Sequence, residues 1–319
     1  MYSAPVAGLA NRLRQVGAFV RLGRPLFLVG GLVFYGLGAA IATYAGGGRA
    51  IDWRRYVWGQ IAVTAAHLMT HYCNDYFDFH ADQANATPTR WSGGSRVLPA
   101  GELPRAAALV AALVLAVVSC VGTAVLVGYT GAPSTAVGLM AAIVVLSWEY
   151  SAPPLRLHST GWGELTVAVV VSGLVPLTGF YVQTGQWALL PFCAIAPLAG
   201  LQFAMLLSIE FPDAAGDAAT GKRTLVVRHG AESAARLYEI TLIAVYVSFP
   251  PLVLVGLPPL VAGCALLTSP LAAWQVLRMH RGAFRDPVRW ESIAFWSVAL
   301  LVVTSALEII GFVLAGRAR

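Results

Sequence analysis

Nine stretches of this chain are long and apolar enough to cross a bilayer, and that feature narrows the possible folds more than any other. They run over 25–46, 56–79, 106–128, 132–150, 161–183, 187–210, 232–255, 257–278 and 289–314. Each is near the roughly 20 residues that a helix needs to span hydrocarbon. The runs are continuous, not alternating, which argues against membrane-spanning strands. Composition agrees: 58% of the 319 residues are hydrophobic and only 11% charged, where soluble domains carry about 25% charged residues. The expected fold class is an all-α integral membrane protein. Nine transmembrane helices would form one domain over residues 1–319.

Basic residues set the expected orientation, because cytoplasmic loops collect them. With nine spans, the N-terminus and the even-numbered loops share a side. That side holds 16 of the 21 Lys and Arg residues, and only Arg49, Arg54, Arg55, Arg317 and Arg319 lie opposite. The N-terminus is therefore expected in the cytoplasm and the C-terminus outside, with the protein in the cell (inner) membrane. The net charge of +6 is explained by this topology and by attraction to anionic lipid, so no nucleic-acid partner is needed. Residues 1–24 carry Arg12, Arg14, Arg21 and Arg24 among Leu and Val, without the apolar core of a cleaved signal peptide. They are expected to lie as an interfacial segment on the inner leaflet. Cys73, Cys120, Cys193 and Cys264 are scattered through the spans with no C-x-x-C pair, so disulfides and zinc have little support.

Chemistry concentrates on the inner side, in loops 80–105, 151–160 and 211–231, because the outer turns at 129–131, 184–186 and 256–257 are minimal. Acidic clusters end the second and sixth spans, four helices apart. This echo suggests two four-helix halves plus a ninth helix. Asp75, Asp78 and Asp82 are spaced i, i+3, i+7, so on a helix they share one face. Glu210, Asp213 and Asp217 repeat that spacing. Together they are six of the 15 acidic residues. Carboxylates this close repel, and ionisable groups at membrane depth are costly and usually functional. A divalent cation relieves both problems. Hard oxygen ligands favour Mg²⁺ or Ca²⁺ over zinc, and Mg²⁺ commonly combines one or two carboxylates with phosphate oxygens. Asn74 adds a neutral carbonyl ligand.

The neighbouring loops offer the other half of a diphosphate site. "SGGSRVLPAG" (92–101) brings Ser95, the Gly93–Gly94 backbone amides and the Arg96 fork. "TGKRTLVVRHG" (220–230) places Lys222 and Arg223 just after Asp217, and Arg156 lies in "YSAPPLRL" (150–157). The alternative reading of each arginine is an ordinary positive-inside anchor.

These residues resemble the UbiA superfamily of intramembrane aromatic prenyltransferases, over essentially the whole chain. Asn74-Asp75-Tyr76-Phe77-Asp78-Phe79-His80-Ala81-Asp82 fits the family's N-D-x-x-D-x-x-x-D motif. Asp213-Ala214-Ala215-Gly216-Asp217 fits its D-x-x-x-D motif, and "YSAPPLRL" with Gly161-Trp162-Gly163-Glu164 looks like two further family segments. "SGGSRVLPAG" and "GKRTLVVRHG" look most like the menaquinone branch, which prenylates 1,4-dihydroxy-2-naphthoate. The chain departs from that branch at Ala81, where a Gly is frequent, and in Ser208-Ile209-Glu210-Phe211-Pro212, where Asn-Asn-x-Arg is frequent.

The resemblance implies a central cavity capped on the cytosolic side, and two Mg²⁺ ions held by Asn74, Asp75, Asp78 and Asp82 and by Asp213 and Asp217. It implies an isoprenyl diphosphate as donor, gripped by Ser95, Arg96, Lys222 and Arg223. Asp75, Asp78, Asp213, Asp217 and Tyr150 would be the catalytic set, with Tyr150 and Tyr76 shielding an allylic cation. A small aromatic acceptor then attacks, its carboxylate paired with Arg156. Other acceptors (4-hydroxybenzoate, homogentisate, haem or a lipid glycerol) are the alternatives within the family. A membrane transporter is the alternative outside it, disfavoured because both acidic clusters sit at span ends rather than at the midplane.

Overall fold

A computed structural model describes the backbone of residues 4–318 and the side chains of 12–318. Among them every regular element is helical, as lipid requires of a chain that must satisfy its own backbone groups. The first part of the chain forms α1 (Ala4–Leu22), α2 (Pro25–Ala45), α3 (Trp53–Phe77), α4 (Phe79–Ala84), α5 (Arg105–Gly128) and α6 (Ala136–Ser151). The middle forms α7 (Gly163–Val167), α8 (Val175–Thr184), α9 (Leu189–Glu210), α10 (Ala214–Ala219) and α11 (Leu225–His229). The last part forms α12 (Ala231–Leu254), α13 (Pro259–Leu266), α14 (Ser269–His280) and α15 (Pro287–Arg317). Between α7 and α8 the chain stays helical but widens to π geometry over Ala168–Leu174, making one rod, Gly163–Thr184.

Local chemistry explains several helix starts. Pro25, Pro259 and Pro287 open helices where a missing N–H costs nothing. Asp52 caps α3 by accepting from the Arg54 and Arg55 amides at 3.0 and 3.2 Å.

Six helices are long and apolar enough to cross a membrane: α2, α5, the Gly163–Thr184 rod, α9, α12 and α15. α13 and α14, bent by 44° at their junction, make a seventh if they form one span. The remaining expected spans fall on α3 and α6. α3 has the length but carries Arg54, Arg55, His67, His71, Asn74 and Asp75, and α6 has only 16 residues. The protein is thus a multi-pass helical membrane protein.

Close crossings hold the bundle. A Cβ on Gly38 would fall 2.0 Å from the Pro176 carbonyl, and one on Gly179 2.4 Å from that of Tyr35, so α2 and α8 touch backbone to backbone. On α5, Val110, Leu113, Val114, Val117 and Val121 are exposed at helical spacing, a stripe suited to lipid. On α1, Ala18 and Leu22 are buried while Leu13, Val16 and Val20 face outward. Residues 1–3 of the expected interfacial segment and Arg319 at the C-terminus lie outside the described residues.

One expectation needs correction. Asp75, Asp78 and Asp82 do not share one continuous helix: α3 ends at Phe77 and Asp82 belongs to α4. Likewise α9 ends at Glu210 and Asp213 opens α10. Both helices break at their acidic residues, which frees α4 and α10 to pack on each other. Gly216 of α10 lies against the Asn85 backbone, where a Cβ would approach to 3.1 Å.

Candidate active site

The two acidic clusters meet across the α4–α10 contact and line one polar cavity. Its wall includes Asn74, Asp78, Asp82, Ser92, Gly93, Gly94, Asp213, Asp217 and Lys222. Lys222 stands between the clusters, its ammonium 3.1 Å from Asp78 and 3.4 Å from Asp217. Asp78 is held further by His158 and by Asn74, which donates at 2.7 Å. Asp213 accepts from Asn85 at 2.6 Å and from the Gly93 amide at 3.0 Å.

Asp75 is only 1% exposed and does not line the cavity. It pairs with Arg24 and accepts from the Ser95 hydroxyl, and from the Ser95 amide at 3.1 Å. It therefore positions Arg24, whose guanidinium also donates to Asn74 at 3.2 Å and faces the cavity.

The remaining predicted residues separate into those at the cavity and those away from it. Tyr150 lines it, its ring 5.3 Å from that of His158. Ser95 ties down Asp75, and Arg96 donates to the Asp82 carbonyl, so both brace the loop rather than line the wall. Arg156 and Arg223 are exposed and line neither cavity. Arg156 follows the 152–155 turn in a left-handed conformation, and the amide of Arg223 is tied to the Ser159 carbonyl. Tyr76 sits under the Arg105 guanidinium at 5.1 Å, away from both cavities. Sequence reasoning missed Arg24 and His158. The available signals were an Arg-Pro step opening a span and a His just beyond the "YSAPPLRL" segment.

The electrostatics are unbalanced. Burial, reinforced by the Asp78 charge, pushes the Asp82 carboxyl up to about 8. Burial pushes Asp217 up to about 6 and raises Asp213 as well. Burial also works against the Lys222 ammonium, but Asp78 and Asp217 outweigh it and hold that group well above its ordinary range. No hydrogen-bond donor reaches the Asp82 carboxylate among the described residues, and Gly94 packs directly on it. Among those residues, no three acidic, imidazole or thiol groups already converge as a metal cage would. The charge between the clusters is that of Lys222. All-oxygen donors, with one carboxylate unpartnered and facing the cavity, suit a hard divalent cation.

A second cavity continues from the first into the bilayer-spanning part. The two share Arg24, Asn74, Trp91, Tyr150, Leu206 and Ile209 as a common wall. Beyond it the lining becomes apolar, with Phe27, Phe34, Val63, Ile143, Val170, Val175 and Leu301. The π-helical stretch contributes Val170 and Val171. The arrangement can hold a polyanion at one end and a long apolar group at the other.

The model of the UbiA prenyltransferase family matches residues 32–313. The chain belongs to that family. It is a prenyl-transferring enzyme. It is 29% identical over 223 residues to the bacteriochlorophyll synthase 33 kDa chain of Cereibacter sphaeroides, covering 69% of this chain and 68% of that one. It is 26% identical over 186 residues to the 2-carboxy-1,4-naphthoquinone phytyltransferase of Synechocystis, covering 57% and 59%. Its fold is similar to that of a UbiA homolog from Archaeoglobus fulgidus solved bound to GPP and Mg²⁺. The TM-score is 0.63 at 15% identity, over 93% of this chain and 99% of the other. The curated relatives divide between two products, so they support the family and not the menaquinone branch in particular.

Proposed function

We propose that this UbiA-family enzyme transfers a polyprenyl group from an isoprenyl diphosphate to an aromatic acceptor in the membrane, 1,4-dihydroxy-2-naphthoate in menaquinone synthesis. The observation that carries this reading is the shared wall. A diphosphate at the acidic and cationic end would place its allylic carbon at Asn74 and Tyr150, with its tail in the apolar cavity. Asn74, Asp78, Asp82, Asp213 and Asp217 would hold two Mg²⁺ ions, and Asp75 would act through Arg24. Bound there, Mg²⁺ supplies Lewis-acid charge for the leaving diphosphate.

The chain's own residues do the rest. Lys222, Arg24 and His158 face the growing negative charge, with amides of the Ser92–Gly94 loop close by. The allylic C–O bond breaks and its electron pair leaves with the diphosphate. Tyr150 and Trp91 offer ring faces to the carbocation, and the apolar wall keeps water from quenching it. The acceptor ring then supplies the pair for the new C–C bond and loses its carboxylate as CO₂. Arg24 is the cation at the shared wall, and it takes the part expected of Arg156.

We further place the enzyme in the inner membrane as a nine-span single domain, with residues 1–24 on the inner leaflet. The 16-to-5 distribution of basic residues supports a cytosolic site. Cysteines at the exposed positions Ala218 and Tyr129, probed in intact cells with an impermeant thiol reagent, should label only at Tyr129. Labelling at Ala218 overturns the orientation.

The activity test uses purified protein, Mg²⁺, geranylgeranyl diphosphate and a panel of aromatic acids, with products identified by mass. A prenylated, decarboxylated naphthalenediol is expected. Full turnover in excess chelator defeats the metal site, and transfer only to 4-hydroxybenzoate or homogentisate defeats the branch. A second reading, a bacteriochlorophyll precursor as acceptor, is favoured by the 29% identity to bacteriochlorophyll synthase. It predicts no naphthalene product.

A further inference from the structure

Inside the apolar cavity stand two imidazoles that the acidic site does not use. His67 and His71 lie one turn apart on α3, their rings 4.8 Å from each other, and both line the cavity. Nε2 of His71 is shut off from solvent and has no hydrogen-bond partner. Three other polar side chains of this wall have protein partners, whereas Nε of Arg24, at the shared wall, has none. Thr70 donates to the Ala66 carbonyl at 2.9 Å, Thr166 to that of Trp162 at 2.7 Å, and Gln202 accepts from Ser172 at 3.3 Å. A ring nitrogen left without a partner among apolar groups is costly unless a ligand completes it.

Two further observations fix what that ligand meets. His71 precedes Asn74 by three residues, so it sits on the same helix face, about 4.5 Å along the axis from the shared wall. That wall is where the allylic carbon of a bound donor would lie. In addition, α2 is bare opposite His67. A Cβ on Gly31 would stand 2.7 Å from His67 Nδ1, so glycine leaves the room that the ring occupies.

We propose that His67 and His71 form the acceptor subsite, and that the acceptor is a hydroxylated aromatic whose O–H donates to Nε2 of His71. This rests on the prenyl-transfer reading above and names the chemistry its acceptor must have. A neutral imidazole offers one acceptor nitrogen and one N–H, so it suits a phenol-type hydroxyl. The bond orients the ring and draws electron density toward the carbon that attacks. The allylic C–O bond breaks with its pair going to diphosphate, the ring forms the C–C bond, and CO₂ departs from a carboxylated ring. The hydroxyl keeps its proton, so His71 holds the acceptor and needs no net change of charge.

The test is equilibrium binding to the full-length protein in lipid nanodiscs under nitrogen, with Mg²⁺ and the non-ionising donor analogue geranyl thiolodiphosphate. The protein is titrated with 1,4-dihydroxy-2-naphthoate and with its 1,4-dimethoxy ether, which cannot donate. The wild type should bind the dihydroxy compound about tenfold more tightly, the worth of one well-made hydrogen bond. His71→Leu should erase that difference while the donor analogue still binds with Mg²⁺, and His71→Gln, which keeps an acceptor atom, should restore part of it. Gly31→Ala, which displaces the His67 ring, should weaken the dihydroxy compound while the donor analogue still binds. Equal binding of both naphthalenes by the wild type, or an unchanged preference in His71→Leu, overturns the subsite while the transfer reading stands. Failure of the wild type to bind the donor analogue with Mg²⁺ overturns that reading, and the subsite with it.

Discussion

The two acidic clusters look like copies in the sequence but are held in different ways. In the first, Asp75 and Asp78 draw partners from several parts of the chain: Arg24, Ser95, Asn74, His158 and Lys222. The second depends largely on the first half of the molecule. Asp213 is held by Asn85 and the Gly93 amide, and Asp217 meets the Lys222 that also serves Asp78. The lesson is that the second cluster is shaped by the 85–94 segment, and so by α4 and its loop, as much as by its own helix.

The largest test of this asymmetry is a pair of substitutions. Asp78→Asn removes the charge on which Lys222 and His158 converge and should lower kcat/KM by about 10³-fold. Asp213→Asn should cost about 10²-fold, both within the usual range for groups that stabilise developing charge. Both variants should remain folded and inserted in the membrane. Steady-state kinetics with a fixed acceptor checks the order, and equal losses would erase the proposed difference.

Next comes the loop. Gly94 has φ +73°, and a Cβ there would lie 2.0 Å from the Asp82 carboxylate. Gly94→Ala should therefore push Asp82 out of the cavity and cost about tenfold or more in activity. Gly221, also at positive φ but with open space around it, is the control. Gly221→Ala should cost roughly 1 kcal/mol of backbone strain and little activity. Comparable losses in Gly94→Ala and Gly221→Ala would remove the special status of the loop.

A smaller effect appears with pH. Asp82 and Asp217 hold their protons more tightly folded than unfolded, with folded values of about 8 and 6. Their contribution to stability is complete below the ordinary carboxylate value near 3.9 and is lost as pH rises through 6 and then 8. The metal-free protein should thus unfold at progressively lower temperature between about pH 5 and 8.5. Mg²⁺ should flatten the trend, since a cation replaces the protons. Thermal unfolding in detergent, with Mg²⁺ or chelator, checks both halves, and a metal-free Tm that rises over this window would break the argument.

The smallest expected effects are at Arg156 and Arg223. Both are exposed and away from the cavities, so each alanine variant should change donor and acceptor KM by no more than about twofold, as surface substitutions usually do. Arg24→Ala, measured beside them, should be far more damaging, because it leaves the buried Asp75 without its counter-charge.

Much of the lining of the candidate site was legible in the sequence. Asn74, Asp78, Asp82, Asp213, Asp217 and Lys222 are close in sequence to others of their kind, and repulsion among neighbouring acids is itself a signal. Arg24 and His158 carried no comparable signal. Each lies far along the chain from the carboxylate it serves, 51 residues for Arg24 and Asp75 and 80 for His158 and Asp78. Arg156 shows the converse, since a basic residue in a motif-like segment was drawn outward by the backbone turn that precedes it.

Hydropathy and charge are properties of the local chain, and for this protein they settled the multi-pass membrane class, the all-helical secondary structure and the spacing of the acids. They could not settle where α3 and α9 break, because that depends on α4 packing against α10. Nor could they choose which cations face the carboxylates or leave Nε2 of His71 without a hydrogen-bond partner. Those outcomes depend on where α2, α3 and the Gly163–Thr184 rod cross. Crossings are decided by backbone contacts such as Gly38 on Pro176, between residues that have no relation along the sequence.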